Sequence, residues 1–422
     1  MSTTVVPPLT ETLLRVATAG SVDDGKSTLI GRLLHDSRAI LDDQLSALAR
    51  ASATRAGGEL DLALLTDGLR AEREQGITID VAYRYVNTGR RRFVLADTPG
   101  HTQYTRNMVT GSSVSDAAVV LVDARSGLVD QSRRHLAIAA LLQVRHVIVA
   151  VNKMDLVDWD ESRFEVVAKE VVDHLDSLPW RVDSSVLPVS ALTGANVVSD
   201  DDVPEWWEGP TLLAALEDLD VAPTATASGR LAVQWVVHAR GHAADDHRGY
   251  AGRVWGAPLS VGDEVIVLPS KQRTHISGLF LGDRQFETAD IGQAVAVQLA
   301  DHVDAARGTV LATGPAPHLV SSVTADVNWF SDRPVGEGDR LLVKHLATTV
   351  QAFVESVDHR LDIVTGKVDP SANELFMNDL GRIRLDLSQP IAYDPYDIDR
   401  VGGRAIAIDG ITNTTVGALL LR

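Results

Sequence analysis

The first half of the chain alternates between apolar runs and helical stretches, and this alternation constrains the fold more than any other feature. The apolar runs have the length and branching of buried parallel strands. Strands that alternate with helices form a mostly parallel sheet with helices on both faces, so we predict an α/β domain. The predicted strands are Leu13–Ala19, Phe93–Ala96, Ala117–Val122 and Val144–Val151, and the predicted helices are Lys26–His35, Gln131–Leu142 and Ser162–Leu178.

The second half of the chain changes to short β-rich runs that are separated by Gly, Asp and Pro. Many short strands with turn residues between them favour Greek-key barrels. The small, polar segment Val221–Gly229 is typical of a linker, and Thr313–His318 divides this half in two. We therefore predict an α/β domain over residues 1–222 and all-β barrel domains over 229–315 and 319–422.

Composition excludes several classes of function. The chain has 422 residues and no cysteine, which rules out disulfides, thiolate catalysis and cysteine metal sites. Its net charge of −18 argues against a broad polyanion-binding surface, so no nucleic-acid partner is expected. No apolar run approaches the roughly 20 residues that cross a bilayer, and the first residues do not resemble a signal peptide. We expect a cytoplasmic protein without a membrane partner.

The segment GSVDDGKST follows the first predicted strand and matches the P-loop pattern. In such a loop, backbone N–H groups curl around phosphates and the next helix points its N-terminus at them. We expect Lys26 to reach the β- and γ-phosphates and the Ser27 hydroxyl to bind Mg²⁺. A plain glycine-rich turn is the alternative. The predicted nucleotide contacts in this loop are Gly20, Ser21, Val22, Asp23, Asp24, Gly25, Lys26, Ser27 and Thr28.

A second motif, Asp97-Thr98-Pro99-Gly100, ends the strand Phe93–Ala96. A carboxylate at this point can hold a water of Mg²⁺, and the Gly100 N–H can meet the γ-phosphate. A strand-ending Pro-Gly turn is the alternative for the motif considered alone.

Two later motifs concern the base. Asn152-Lys153-Met154-Asp155 follows the strand Val144–Val151, and an Asp155 carboxylate can accept from both the N1–H and the 2-amino group of guanine. Lys153 would lie along the ring face, while Asn152 would brace the loop. In Ser190-Ala191-Leu192 a backbone N–H can approach the guanine carbonyl. Ligands bind outside the carboxyl ends of parallel strands, so all four motifs should converge on one GTP site.

Two further features resemble the translational GTPases, such as elongation factor Tu. The string EQGITI over Glu74–Ile79 is similar to their first switch, and His101 directly after DTPG matches their catalytic histidine. The resemblance implies that the Thr78 hydroxyl reaches Mg²⁺ and that His101 orients the attacking water. The catalytic residues expected on this basis are Lys26, Thr78 and His101. The protein ligands expected for Mg²⁺ are Ser27, Thr78 and, through water, Asp97.

Longer strings are similar to one family, the GTPase subunits of sulfate adenylyltransferase (ATP sulfurylase), over almost the whole chain. They include VDDGKSTLIGRLLHDSRAI, LTDGLRAEREQGITIDVAYRY, ADTPGHTQYTRNMVTGSSVSD, DQSRRH, AYDPY and ITNTTVGA. The resemblance implies a GTPase that drives synthesis of adenosine 5′-phosphosulfate and pyrophosphate from ATP and sulfate. A small catalytic subunit would carry that reaction, in a heterodimer or higher assembly. No second P-loop pattern follows, so adenylylsulfate kinase activity is not expected.

Two other functions share these motifs. A translation factor that delivers aminoacyl-tRNA has the same architecture, and the family-specific strings argue against it. A non-catalytic scaffold with a structural nucleotide would not need Thr78, Asp97 and His101. Trp206-Trp207 is either a partner anchor or a packing element. Resemblance to elongation factors implies that the Asp23 carboxylate holds a monovalent cation near the phosphates, and the alternative is that it accepts an N–H of its own loop.

Overall fold

The computed structural model describes residues 13–38, 62, 80–221, 226–238 and 248–422. Its first part is a six-stranded sheet. The strands are β1 (Leu13–Gly20), β2 (Ala82–Asn87), β3 (Arg92–Asp97), β4 (Ala117–Asp123), β5 (His146–Asn152) and β6 (Asp183–Pro188). They lie in the order β2-β3-β1-β4-β5-β6, and all pairs are parallel except β2 with β3. The helices described here are α1 (Lys26–Asp36), α2 (Thr105–Ser112), α3 (Asp130–Leu141), α4 (Glu161–Ser177) and α5 (Leu212–Glu217), with 3-10 turns at Thr102–Tyr104 and Met154–Val157.

Both faces of this sheet are covered, as β4 shows. Val119 and Leu121 join an apolar cluster that includes residues of α1 and α5. Val120 and Val122 point to the opposite face and are also fully buried. Helices α2, α3 and α4 contact strands β1, β3, β4 and β5. The predicted α/β sheet with helices on both faces is therefore confirmed.

The parallel strands end together at one edge of the sheet. Asp97, the last residue of β3, is in register with Thr18 near the end of β1. Asp123, the last residue of β4, is in register with Asn152, the last residue of β5. Because the strands are parallel and aligned, the loops after them converge, and these loops carry the predicted motifs.

The second part of the chain forms two closed barrels, which confirms the predicted β-barrel class. In the first barrel β11 pairs with β12 and closes a ring of six strands, and in the second β19 pairs with β20 and does the same. The strands of the first sheet system are β7 (Arg230–Ala232), β8 (Trp235–His238), β9 (Arg248–Trp255), β10 (Leu259–Ser260), β11 (Glu264–Leu268), β12 (Gln272–Leu281), β13 (Arg284–Phe286), β14 (Thr288–Ala289), β15 (Ala294–Leu299) and β16 (Val310–Ala312). Those of the second are β17 (His318–Trp329), β18 (Val335–Gly336), β19 (Arg340–His345), β20 (Thr348–Leu361), β21 (Val368–Asp369), β22 (Glu374–Leu375), β23 (Leu380–Tyr393), β24 (Arg404–Ile408) and β25 (Thr415–Leu421).

Alternating patterns in these strands place one face in each barrel core. In β15, Val295, Val297 and Leu299 belong to the core of the first barrel, and the residues between them are more exposed. The apolar run Leu231–Val237 does not form one strand but is divided between β7 and β8. The chain changes partner there, because Val233 N–H bonds to Thr309 O whereas Gln234 N–H bonds to Ala251 O.

The chain divides into two compact units, Met1–Val221 with Asp362–Lys367, and Ala222–Leu361 with Val368–Arg422. Both barrels lie in the second unit, and 1–222, 229–315 and 319–422 remain our proposed domain bounds. Arg230 of the first barrel is only 3% exposed and makes a two-bond ion pair with Asp394 of the second, at 3.0 and 3.2 Å. Asp394 belongs to the string AYDPY, so one of the distinctive strings holds the barrels together. No helix in the described ranges has the length and apolar character needed to cross a membrane.

Candidate nucleotide-binding site

The predicted P-loop connects β1 to α1, with Ser27 and Thr28 in the first helical turn. Gly25 precedes the helix with φ of 94°, a conformation that favours glycine. A Cβ at Gly25 would lie 2.5 Å from Asn152 Nδ2, and a Cβ at Gly100 would collide with Lys26 Nζ. Glycine is therefore needed at Gly25 because of its positive φ, and at Gly100 because a Cβ there would also lie 2.7 Å from the backbone Gly20 O.

Lys26 is buried beneath this loop. Its Nζ donates to Gly20 O at 2.8 Å and to Ser21 O at 2.9 Å. Burial lowers the pKa of Lys26, while the nearby carboxylates of Asp97 and Asp24 oppose that shift. An ammonium group has three donors. The two bonds to carbonyls fix its direction, and the third N–H remains for a phosphate oxygen.

Asp24 is the loop residue whose carboxylate accepts an internal N–H. Its Oδ2 accepts from Ser21 N–H at 2.6 Å, and burial raises its pKa to about 6. Asp23 is exposed, with φ of 66°, and Val22 beside it is also exposed. The N–H-accepting role considered for Asp23 is therefore filled by its neighbour.

The DTPG motif lies at the end of β3. Asp97 is 1% exposed, and the Thr98 hydroxyl donates to Thr18 O at 2.6 Å, which ties the end of β3 to β1. Pro99 and Gly100 complete the turn, and Gly100 passes directly over Lys26. His101 follows in a half-buried position before the 3-10 turn. The structure thus brings the predicted second motif against the P-loop.

Asn152 links three of the four motifs. Its Nδ2 donates to Asp24 O at 2.7 Å in the P-loop, and its Oδ1 accepts from Ala191 N–H at 2.9 Å. The predicted bracing role of Asn152 is therefore present in the geometry. Ser190 supports the same loop, since its N–H donates to Ala195 O and its hydroxyl accepts from Thr193 N–H.

The base-recognition loop keeps one acceptor open. Asp155 Oδ1 is buried and has no hydrogen-bond partner among the described residues. Buried acceptors are usually satisfied, so an open one in a motif loop points to a donor on a ligand. In the Ser190-Ala191-Leu192 triplet, the Ala191 N–H is taken by Asn152 Oδ1 and the Ser190 N–H is taken by Ala195 O.

Sequence reasoning missed Asp123, the last residue of β4. Its Oδ2 accepts from Lys153 Nζ at 2.9 Å and from Arg125 Nη2 at 2.7 Å. Lys153 Nζ also donates to Asp23 O in the P-loop. The sequence feature that could have identified Asp123 is a carboxylate at the end of a buried parallel strand, which is also the position of Asp97.

Helix α3 also borders the P-loop. Ser132 Oγ lies 3.4 Å from Ser21 Oγ, and His135 Nε2 lies 2.9 Å from Gln131 Nε2. Burial, together with the charge of Lys26, lowers the pKa of His135 to about 3, so this imidazole is neutral at physiological pH. The string DQSRRH therefore packs against the phosphate loop.

Two predicted features fall elsewhere. Thr78 and the rest of Glu74–Ile79 lie outside the described residues. Trp206 and Trp207 pack on Phe164 of α4 with ring centroids 5.5 and 5.6 Å away, and Trp206 Nε1–H donates to Trp159 O. These contacts favour the packing interpretation of the two tryptophans.

The donor set at the phosphate end fits Mg²⁺. This ion prefers oxygen ligands and is usually held by one or two protein groups together with phosphates and waters. The Ser27 hydroxyl lies in the first turn of α1, which follows β1, and the buried Asp97 carboxylate ends the adjacent strand β3. Ser27 would hold the ion directly and Asp97 would hold it through water, and the ion would neutralise phosphate charge.

Comparison with protein families supports this site. Residues 11–223 match the model of the elongation factor Tu GTP-binding domain, and residues 322–420 match the model described as GTP-eEF1A C-terminal domain-like. The first match covers the predicted nucleotide site and confirms that the domain binds GTP.

Comparison with curated proteins gives relatives along nearly the whole chain. A sulfate adenylyltransferase subunit 1 of Methylorubrum extorquens strain PA1 is 45% identical over 97% of this chain and 87% of its own length. The corresponding protein of Erwinia tasmaniensis is 43% identical over 98% of this chain and 86% of its own length. The bifunctional enzyme CysN/CysC of Mycobacterium tuberculosis strain H37Rv is 47% identical over 96% of this chain, which spans 67% of that relative.

Proposed function

The chain belongs to the sulfate adenylyltransferase subunit 1 family, within the translational GTPases, and on that premise we propose that it hydrolyses GTP to drive sulfate activation. A partner subunit would join ATP and sulfate to give adenylyl sulfate and diphosphate. That reaction is uphill, because the phosphate–sulfate anhydride formed is richer in free energy than the ATP bond that is broken. Concurrent cleavage of GTP to GDP and phosphate would supply the difference.

The observation that carries the proposal is the contact between the base-recognition loop, Asn152-Lys153-Met154-Asp155, and the P-loop. Asn152 bonds to Asp24 O of the P-loop at 2.7 Å and to Ala191 N–H of the Ser190-Ala191-Leu192 loop at 2.9 Å. In this arrangement Asp155 Oδ1 would accept from guanine, and an adenine would leave that buried acceptor unpaired. A site built around such a bond rejects the wrong base by roughly 10⁴-fold. We therefore assign guanine selection to Asp155.

The phosphate end would position the reacting group. The third N–H of Lys26 and the backbone N–H groups of residues 20–28 would contact the phosphates. Gly100 N–H would meet the γ-phosphate, and His101 would orient the attacking water, a role that stabilises the transition state more than the bound substrate. Thr78 would complete the ligands of Mg²⁺.

We infer that the partner is the small catalytic subunit of sulfate adenylyltransferase, joined in a heterodimer or higher assembly in the cytoplasm. The name of the relatives, subunit 1, supports a second subunit. Segments that contact a γ-phosphate are ordered by it and released on cleavage, so the segment around Thr78 and the loop after Gly100 are the natural transmitters.

The experiment is reconstitution of the chain with the candidate catalytic subunit, ATP, sulfate and Mg²⁺. Adenylyl sulfate should accumulate to a higher level with GTP than without it, and a non-hydrolysable GTP analogue should not sustain that yield. The isolated chain should make none. An elongation-factor-like function is the alternative, and GTP-dependent binding of aminoacyl-tRNA with no response to the catalytic subunit would favour it.

A further inference from the structure

Asp123 occupies a position that no P-loop or base-recognition motif specifies. It ends β4, directly beside Asn152 at the end of β5, and it is 5% exposed. Oδ1 accepts from the Arg125 N–H at 2.9 Å and from Arg125 Nε at 3.1 Å. Oδ2 accepts from Arg125 Nη2 and from Lys153 Nζ. Four hydrogen bonds therefore fix the direction of this carboxylate.

The carboxylate of Asp123 stays ionised. Burial alone would raise its pKa, but the hydrogen bonds from Arg125 and Lys153 outweigh burial and hold the pKa well below its usual range. A charged acceptor makes a shorter and stronger hydrogen bond than a neutral one. Lys153 is thus held by a charge-assisted bond.

Lys153 is anchored at two points. Its backbone has φ of 64°, and its Nζ bridges Asp123 Oδ2 and Asp23 O of the P-loop. A free lysine side chain has many rotamers, and ordering it on binding costs conformational entropy. With both anchors in place, the aliphatic stem of Lys153 is ordered before a base packs against it.

We propose that Asp123 is a positioning residue for guanine-nucleotide binding, which acts by holding Lys153 between the base loop and the phosphate loop, with Arg125 fixing the carboxylate. The inference rests on the proposed function only in that it places guanine against Lys153. Asp123 touches neither base nor phosphate in this scheme. Its effect therefore falls on nucleotide retention and not on the cleavage step.

The test is the dissociation rate of fluorescently labelled GDP from the full chain. Asp123→Asn should release GDP roughly tenfold faster, because a rotamer-rich side chain must then be ordered on binding. Arg125→Gln leaves the Asp123–Lys153 bond but loosens the carboxylate, and it should give a smaller increase. Asp173→Asn removes an exposed carboxylate paired with Lys169 on α4, so it is the matched control and should change nothing.

A double-mutant cycle with Lys153→Met separates positioning from a general structural effect. If Asp123 acts through Lys153, Asp123→Asn should add no further acceleration in the Lys153→Met background. Single-turnover cleavage at saturating GTP, measured with the catalytic subunit, should also be unchanged. An undiminished effect in the Lys153→Met background would overturn the proposal, as would an unchanged dissociation rate for Asp123→Asn.

If Asp123→Asn does not fold, the test is the comparison of GDP release from Arg125→Gln with that from the Asp173→Asn control. GDP release from Arg125→Gln at the control rate would then overturn the proposal. The GDP-release measurement needs no catalytic subunit. If it contradicts the role of Asp123, the proposed coupling to sulfate activation is unaffected. Absence of any GDP binding by the unmodified chain would contradict the proposed function itself.

Discussion

The two ends of the nucleotide site are built from different parts of the protein. At the base end, side chains reach across loops, with Asn152, Lys153 and Asp123 making the cross-links. At the phosphate end, the contacts come mainly from the backbone, since the carbonyls of Gly20 and Ser21 accept from Lys26 Nζ and fix its direction. The base end therefore depends on hydrogen bonds between side chains and loops, and the phosphate end depends on backbone shape.

This difference predicts how each end responds to substitution. A change at the base end alters selectivity or retention and leaves the other cross-links in place. A change at the phosphate end alters binding of every nucleotide, because phosphates are common to all of them. The predictions below test this division, beginning with the largest effect.

Lys26→Ala tests the phosphate end. It removes the buried ammonium group of the P-loop, together with its two hydrogen bonds to carbonyls and the charge-assisted bond expected to phosphate. GTP and GDP should both bind about 10³-fold more weakly in calorimetric titration. Lys169→Ala, an exposed lysine on α4, is the control and should bind normally. A loss of affinity below about tenfold would show that Lys26 does not bind the phosphates.

His101→Ala separates cleavage from binding at the same end. GDP and GTP affinities should stay within a few-fold of the unmodified chain, because the proposed role of His101 arises at the transition state. Single-turnover GTP cleavage in the complex with the catalytic subunit should slow on the order of 10²-fold. His275→Ala, an exposed histidine of the first barrel, should cleave GTP at the normal rate. Equal rates of GTP cleavage for the two variants would show that His101 has no role in the cleavage step.

Asp24→Asn tests the carboxylate inside the P-loop through pH. Burial raises the pKa of Asp24 from 3.8 to about 6, so the folded protein keeps a proton that the unfolded chain releases between these values. The free energy of unfolding therefore falls as the pH rises through this range, by roughly 3 kcal/mol once the pH exceeds about 6. The amide of Asn can still accept from Ser21 N–H and carries no such penalty.

The nucleotide-free Asp24→Asn variant should thus be roughly 2–3 kcal/mol more stable than the unmodified chain at pH 7.5 and equally stable near pH 4. Urea unfolding at both pH values measures this, with the exposed Asp173→Asn as the control. A stability difference that is the same at both pH values would show that titration of Asp24 is not its cause.

The residues of the P-loop can be recognised in the sequence, because the geometry of this loop demands particular residue types. Gly25 must adopt a positive φ, and Lys26 must be long and charged, so both are visible as a motif. The bounds of the four predicted strands of the α/β sheet agree with the structure to within a few residues, since buried parallel strands are recognisable as apolar runs. The first switch with Thr78 came from family resemblance and lies outside the described residues.

The cross-links of the base end could not be predicted in the same way. Asp123 meets Lys153 across 30 positions, and Asn152 meets Asp24 across 128. Local propensity says nothing of such pairs, which depend on strand order. The bond from the Ala191 N–H to Asn152 Oδ1, across 39 positions, is of the same kind. Trp206 stayed ambiguous until its bond to Trp159 O was seen.

The most direct test of the central claim is a change of nucleotide in the coupled reaction. Asp155→Asn replaces the carboxylate that would read guanine with an amide, which can donate to the 2-oxo group of xanthine. In the reconstituted complex with ATP and sulfate, this variant should accumulate adenylyl sulfate with XTP and not with GTP, whereas the unmodified chain should do the reverse. An Asp155→Asn complex that still prefers GTP would contradict the account, as would one whose adenylyl sulfate yield is independent of the added nucleotide.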